Sequence, residues 1–276
     1  MGTLYLVATP IGNLGDISQR ALEVLAGCDF IAAEDTRVTL KLLNHFGIKK
    51  PLVSYYEHNR AASGARILER LLAGETCALV SDAGTPIISD PGFDLVTLCV
   101  QAGVEVLSLP GPCAAVTALT LSALPAGRFC FEGFLSTNKK DRREHLAQLK
   151  QEPRTMVFYE APHKLLYTLR DLLETLGDRR ISLCRELTKL HEQVWRTTLS
   201  EAAAHYEETP PRGEFVLVVE GSLQPAPTEE SLTFENAVSL ARRLHQEGLR
   251  LKDAVKQVAD QTGHNKNDLY RAAVEP

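Results

Sequence analysis

Residues 79–92, LVSDAGTPIISDPG, carry an apolar strand straight into a turn rich in glycine, proline, aspartate and serine. Residues 77–80 have the length and character of a short buried strand, and Gly84, Pro86, Pro91 and Gly92 forbid a regular element just after it. The next helix is therefore expected no earlier than Phe93. Between the two lie Ser81, Asp82, Thr85, Ser89 and Asp90, small polar side chains beside backbone that Gly84 lets a ligand approach closely. In an open α/β sheet this is the carboxyl end of a strand, where ligands bind. The other reading is an ordinary strand-to-helix connection, for which twelve residues would be long.

Upstream, a strand at 4–8 ends in TPIGNLGDIS (residues 9–18), which feeds a helix at about 18–26 with Ala21, Leu22 and Leu25 on one face. This turn lacks both the GxGxxG spacing and the GxxxxGK[ST] lysine, which excludes a nucleoside triphosphate and a standard dinucleotide. A strand at 30–33 runs into Glu34-Asp35-Thr36-Arg37, and one at 52–54 runs into a polar cluster holding His58 and Arg60. In a parallel sheet both clusters gather on the edge that carries Asp82. Glu34 and Asp35 can equally be helix N-terminal charge complementing the dipole, with Arg37 a solvated partner. A strand at 105–109 then ends in Pro110-Gly111-Pro112-Cys113-Ala114-Ala115, another site for close backbone approach.

The pattern restarts at 129–131, followed by Glu132-Gly133-Phe134-Leu135 and the basic run Lys139-Lys140-Asp141-Arg142-Arg143. Further strands are expected at 156–159, 181–185 and 215–219, with a helix at 163–176 and an irregular segment at 186–196. These elements divide the chain into an α/β domain at 1–115, a second α/β domain at 116–224 and a helical tail at 228–276. Residues 224–228, QPAPT, have the composition of a short stiff linker. In the tail, Ala259, Gly263 and Leu269 fall where a helix-turn-helix wants a small residue, a turn glycine and a core residue. Seven Lys/Arg against six Asp/Glu from Thr233 onward make a weak basic footprint, so a plain three-helix packing module stays open.

At 276 residues, 44% hydrophobic and 24% charged, the composition is that of a globular chain, and its apolar runs are strand-sized, which argues against disorder and a membrane span. No secretion signal is visible, and the cytoplasm is the expected location. The six cysteines are scattered, with no metal-ligand spacing, and are expected to be free thiols; no metal is expected. A net charge of −5 means that any nucleic-acid partner must be drawn by local patches.

The stretches VATPIGNLGDIS, SDAGTPIISDPG, LPGPCAA, FEGFL, MVFYEAPHK, RELTKLHE and GEFVLVVEG, in that order, resemble the tetrapyrrole-methylase-like (class III) S-adenosylmethionine methyltransferases. Within that family they are most similar to the members that modify small-subunit ribosomal RNA. The resemblance spans essentially the whole chain. It implies two α/β domains with S-adenosylmethionine in the cleft between them, a homodimer, and 2′-O-methylation of a cytidine in small-subunit ribosomal RNA, naked or in the assembled subunit. Carried over position by position, the family's cofactor contacts fall on Ile11, Gly12, Ala83, Gly84, Thr85, Ile88, Cys113, Ala114, Glu160 and Leu187, to which the loop reading adds Asp82. Porphyrin-modifying relatives typically carry a GxGxGD first turn and a GGDP loop. Here those stretches are ATPIGN and DAGTP, which argues against a tetrapyrrole substrate.

Transfer of an activated sulfonium methyl to a ribose hydroxyl needs alignment and help in removing a proton. Candidate catalytic groups are Glu186, Lys189, Glu34 and Asp35. A carboxylate such as Glu186 beside Arg185, or Glu160 near Lys164, can instead be a structural pair. Candidate RNA-binding residues are Arg37, His58, Arg60, Lys139, Lys140, Arg142 and Arg143, each of which can equally be solvated surface. In the tail, Asn265, Lys266, Asn267 and Arg271 on the last helix are the first positions to test for RNA contact. Two other functions stay open: a same-fold methyltransferase acting on a tetrapyrrole or protein side chain, and a non-catalytic RNA-binding assembly factor.

Overall fold

The computed structural model describes residues 1–222, 233–246 and 248–274, and the chain divides into two compact units, residues 1–222 and 223–276. In the first unit, β1 (Thr3–Val7), β2 (Phe30–Ala33), β3 (Leu52–Ser54), β4 (Cys77–Val80) and β5 (Glu105–Leu109) form one parallel sheet in the order β3-β2-β4-β1-β5. Its central strands β2 and β4 are buried on both faces. Phe30, Ala32, Cys77 and Leu79 pack with α3 (Arg60–Leu72) and α4 (Phe93–Gln101), while the alternate residues Ile31, Ala33, Ala78 and Val80 pack with α1 (Gln19–Gly27) and α2 (Thr36–His45). This period-two sorting is why the strands look like unbroken apolar runs. Local chemistry sets the helix starts. The Ser18 hydroxyl accepts the Ala21 N–H at 3.1 Å, the Asp35 carboxylate accepts the Arg37 N–H, and Gly92, at φ 151°, opens α4 at the expected Phe93.

The chain leaves this sheet through residues 110–113 and enters α5 (Ala114–Leu121), which packs on the second sheet; residue 115 lies in the first turn of α5. The second sheet contains β6 (Phe129–Gly133), β7 (Thr155–Glu160), β8 (Arg180–Arg185), β9 (Gln193–Thr198) and β10 (Phe215–Val219), in the order β6-β7-β10-β8-β9. Only β6 and β7 run parallel; the other pairs are antiparallel. One face is covered by α6 (Lys139–Leu149), α7 (Leu165–Leu176) and α8 (Leu199–Glu208), the other by α5. The irregular segment expected at 186–196 ends as a strand, β9, whose residues pair one for one with β8 from Arg185↔Gln193 to Arg180↔Thr198. As a half-exposed edge strand containing glutamine, arginine and threonine, it lacks the apolar run that marked its neighbours.

Arg142, expected to reach RNA phosphate, is instead buried. It faces inward from α6 with Leu146 and Leu149, only 4% exposed; its Nε donates to Asp171 at 2.5 Å and its Nη2 to Thr168 Oγ1 at 2.8 Å. Lys139, Lys140 and Arg143 remain exposed on the other face of the helix.

The tail folds as α9 (Phe234–Gln246), α10 (Leu251–Thr262) and α11 (Lys266–Val274) around a core of Ala237, Ala241, Val255, Val258 and Leu269. Gly263, at φ 74°, closes α10 in the left-handed conformation, and the Asn265 side chain accepts the Asn267 N–H at 2.8 Å ahead of α11. The expected linker at 224–228 lies outside the described residues. Among the described residues no helix is long and apolar enough to cross a membrane.

The Arg142–Asp171 pair joins α6 to α7 with its guanidinium buried and its carboxylate partly buried, so truncating one partner leaves the other charge uncompensated. Arg142→Met is expected to lower stability by about 3 kcal/mol in urea unfolding, whereas Lys140→Ala, on the exposed face, should change it by less than about 0.5 kcal/mol. Equal midpoints for the two variants would remove the pair from the account of the fold.

Candidate functional site

The carboxyl ends of β1, β4 and β5 are joined by a few short bonds. Thr9 and Gly84 exchange two backbone hydrogen bonds, N–H to O and O to N–H, both 2.9 Å. The Thr9 hydroxyl donates to the Ser81 carbonyl at 3.2 Å, and the Thr85 hydroxyl to the Pro112 carbonyl at 2.9 Å. Gly84 needs its missing side chain twice over: its φ is +85°, and a Cβ there would lie 3.3 Å from Ile11 Cγ2. Within the same loop Ile87 has φ 80°, a conformation a β-branched residue adopts only under strain.

The second sheet meets these turns at Gly12. A Cβ on Gly12 would stand 2.5 Å from Lys189 Cγ and 2.9 Å from the Leu187 carbonyl oxygen. The loop after β8 packs onto the first turn through two residues of positive φ, Glu186 at 52° and Thr188 at 64°. From β7, the Tyr159 hydroxyl accepts the Ala115 N–H at 3.1 Å; burial, then the neighbouring Cys113, pushes its pKa up to about 12.

Between the two sheets these loops enclose a cavity of about 470 Å³, lined by Ile11, Asp82, Ala83, Gly84, Thr85, Ile88, Ser89, Asp90, Cys113, Ala114, Phe134, Tyr159, Glu160, Ala161, Pro162, Cys184, Leu187, Glu214, Phe215 and Val216. Every position expected to hold the cofactor lines it except Gly12, which packs against Lys189 and Leu187. Ser89 and Asp90 were visible in the quoted loop, and Phe134, Tyr159, Ala161 and Pro162 in the quoted FEGFL and FYEAPHK stretches. Glu214, Phe215 and Val216 lie in the quoted GEFVLVVEG stretch, while Cys184, on β8, falls outside every quoted stretch, and nothing local distinguishes it from sheet core.

The buried Glu160 is fastened at both oxygens, accepting the Ala161 N–H at 2.8 Å and the Thr168 hydroxyl, which in turn accepts from Arg142. Arg142, with no access to RNA, thus helps hold a cavity residue. Of the four catalytic candidates, three are already engaged. Asp35 caps α2 and pairs with Arg37, whose side-chain and backbone bonds lower its pKa to about 2. Glu186 accepts the Glu214 N–H and the Lys189 ammonium, each at 2.9 Å, which lower its pKa. For Lys189, burial acts to lower the pKa, but the bonds to Glu214 and Glu186 prevail and raise it, so the ammonium stays charged.

Glu34 differs. Burial first, then the nearby Asp90 and Asp82, raise its pKa, with a bond from the Asp82 backbone acting the other way. Asp82 is itself raised by burial and accepts the Asp35 N–H at 3.0 Å; Asp90 is raised by burial and by Asp82. Asp82 and Asp90 line the cavity; Glu34, which does not, interacts with both. Among the RNA candidates, Arg60 is paired with both Glu57 and Asp94, and Arg37 with Asp35, while His58 is exposed.

The walls of the cavity suit S-adenosylmethionine. Gly84 and the alanines at 83 and 114 allow close backbone approach, the volume falls within the range for small-molecule sites, and the carboxylates oppose a cationic ligand. Gly84→Val puts a branched side chain at positive φ against Ile11. Calorimetry is expected to show S-adenosylmethionine binding weakened at least about tenfold, with the circular dichroism spectrum unchanged; unaltered affinity would take this loop out of the site.

Residues 3–203 match the family described as Tetrapyrrole (Corrin/Porphyrin) Methylases, and residues 235–276 match the RsmI C-terminal HTH domain. A protein of Synechocystis sp. named ribosomal RNA small subunit methyltransferase I is 50% identical over 279 aligned positions, covering 100% of this chain and 98% of its own. A protein of the same name from Halalkalibacterium halodurans is 50% identical, covering 98% of this chain and 93% of its own. Among solved structures, diphthine synthase superposes with a TM-score of 0.61 at 16% identity, over 80% of this chain and 90% of that one. Uroporphyrin-III C-methyl transferase from Thermus thermophilus, complexed with S-adenyl homocysteine, gives 0.56 at 19% identity, over 79% and 97% of the two chains. At these identities the structural likeness establishes the fold alone.

Proposed function

The chain belongs to the tetrapyrrole (corrin/porphyrin) methylase family, and from that premise we propose that it methylates small-subunit ribosomal RNA, at the 2′-oxygen of a cytidine, using S-adenosylmethionine. The observation that carries this is the coincidence of the expected cofactor positions with one cavity, in a chain matched along its whole length by ribosomal RNA methyltransferases. When bound, S-adenosylmethionine supplies a sulfonium methyl that a ribose hydroxyl oxygen can attack directly, the carbon–sulfur electron pair returning to sulfur as the hydroxyl proton leaves. Gly84, Ala83 and Ala114 give the donor close backbone contact, and Asp82 and Asp90 offset its positive charge. The apolar walls at Ile11, Leu187 and Val216 keep water out.

For the proton we propose Glu34 as the acceptor. Its raised pKa makes its carboxylate a stronger base than an ordinary glutamate, while Asp35, Glu186 and Lys189 are tied up in pairs. Lys139, Lys140 and Arg143, exposed on α6, and Lys266, Asn267 and Arg271 on α11 are proposed to meet RNA phosphates. The chain is proposed to act as a homodimer in the cytoplasm. The exposed Leu107 on the edge strand β5 is the kind of surface a second copy covers.

Tritiated methyl transfer to small ribosomal subunits, to naked ribosomal RNA and to a tetrapyrrole tests the acceptor; label entering only the tetrapyrrole would overturn it. Glu34→Gln is expected to keep cofactor affinity and to lose about 100-fold in kcat. The acid limb of the wild-type profile should lie above the usual glutamate range and be absent from the variant. A raised folded-state pKa contributes stability below the unfolded value that is lost as pH rises through the folded value. The variant should therefore be no less stable than wild type at neutral pH, and a marked fall there would mark Glu34 as structural.

All the lining residues precede residue 217. Truncation after Ser222 is thus expected to leave cofactor affinity within about twofold, and to cut transfer to small subunits at least about tenfold through a raised KM. Wild-type efficiency in the truncated protein would make the tail a packing module.

A further inference from the structure

Granted that the acceptor is an RNA, the donor cavity accounts for only half of what the reaction must bind, and a second cleft of about 340 Å³ adjoins it. This cleft opens between the first turn, which contributes Pro10 and Leu14, and α2, which contributes Val38, Lys41 and His45. Asp82 lines both spaces. The first turn is the partition: Pro10 faces the second cleft and Ile11, the next residue, faces the donor cavity. The partition is anchored by the two Thr9–Gly84 backbone bonds and the Thr9 hydroxyl on Ser81, so the two spaces hold a fixed relation to each other.

The chemistry of the cleft is that of a nucleotide slot. Pro10 and Leu14 from the first turn and Val38 from α2 line it, apolar side chains of the kind that accept a flat base. Lys41, exposed on α2, and His45, one turn further along, place donors for a phosphate on one side. Asp82 closes the end nearest the donor cavity, and Glu34, the proposed proton acceptor, interacts with that same aspartate. Its volume suits one unstacked nucleotide.

We propose that this cleft is the acceptor subsite, taking a single unstacked ribonucleotide with its ribose at the Asp82 end, its base between the first turn and α2, and its phosphate beside Lys41 and His45. The donor and acceptor then meet at the Asp82 end, beside a residue that lines both spaces. Substrate discrimination within this site comes from the width of the slot between Leu14 and Val38, not from the donor cavity.

Two variants test it with the full chain. Val38→Trp fills the slot and Lys41→Glu reverses the rim charge, both from exposed positions, so both variants are expected to fold. Three quantities are read: S-adenosylmethionine affinity by calorimetry, kcat/KM with unmethylated small ribosomal subunits, and photo-crosslinking of 4-thiouridine-substituted small-subunit RNA to the peptide spanning residues 37–45. The expected result is cofactor affinity within about twofold of wild type, kcat/KM reduced at least about tenfold, and a wild-type crosslink lost in Val38→Trp. Lys41→Arg should restore most of the Lys41→Glu deficit. Undiminished transfer by both variants overturns the subsite while leaving the proposed function standing, as does a loss of cofactor affinity in step with the loss of transfer. Absence of label from the wild type itself overturns the proposed function, and the subsite with it.

Discussion

Two backbone hydrogen bonds between Thr9 and Gly84 hold the functional half of the molecule in place. They join the turn after β1 to the turn after β4, two neighbouring strands whose ends would otherwise splay as loops. Because both partners are peptide groups, the contact is indifferent to side-chain chemistry but very sensitive to backbone conformation. It exists only while residue 84 adopts positive φ, which glycine does at little cost. The Thr9 hydroxyl on Ser81 and the Thr85 hydroxyl on Pro112 extend the stitch in both directions. Three loops thereby behave as one wall, against which a small molecule finds preorganised peptide groups and not mobile chain.

The second sheet supplies the opposite wall and relies on buried polar bonds to aim it. Glu160 is fixed by Thr168, Thr168 by Arg142, and Arg142 by Asp171, a chain that runs from the cavity through α7 to α6. Such a network rigidifies when every member is satisfied. At the other end of the same wall, Glu186 and Thr188 sit at positive φ, and Lys189 is clamped between Glu186 and Glu214. Strain of this kind persists only where surrounding contacts over-determine it, and here they include the close packing of Lys189 and Leu187 on Gly12.

The electrostatics divide labour among carboxylates that look alike on paper. Asp35 is drawn down by Arg37 to become a helix cap, and Glu186 is drawn down by the Glu214 N–H and Lys189. Glu34, Asp82 and Asp90, crowded together and partly buried, are all pushed up. Adjacent residues such as Glu34 and Asp35 thus end with opposite proton affinities, because one points into a cluster of its own charge and the other meets a guanidinium.

Much of this was legible in the chain itself. Glycines, prolines and short polar residues after apolar runs are local signals, since they follow from what the backbone can adopt at each position. They placed β2, β3, β4, β5 and β10 and the start of α4 at Phe93, and motif resemblance picked out positions of which all but Gly12 line the cavity between the two sheets. What lies across a gap carried no local signal. The sequence could not tell that Arg142 turns inward to Asp171 while Lys139 and Lys140 turn out, that residues 193–198 find a partner in β8, or which of four charged residues is left with a raised carboxylate. It likewise could not show that Pro10 and Ile11 face different cavities. Those outcomes depend on burial and on charges brought together from distant parts of the chain, and only the packed tertiary structure decides them.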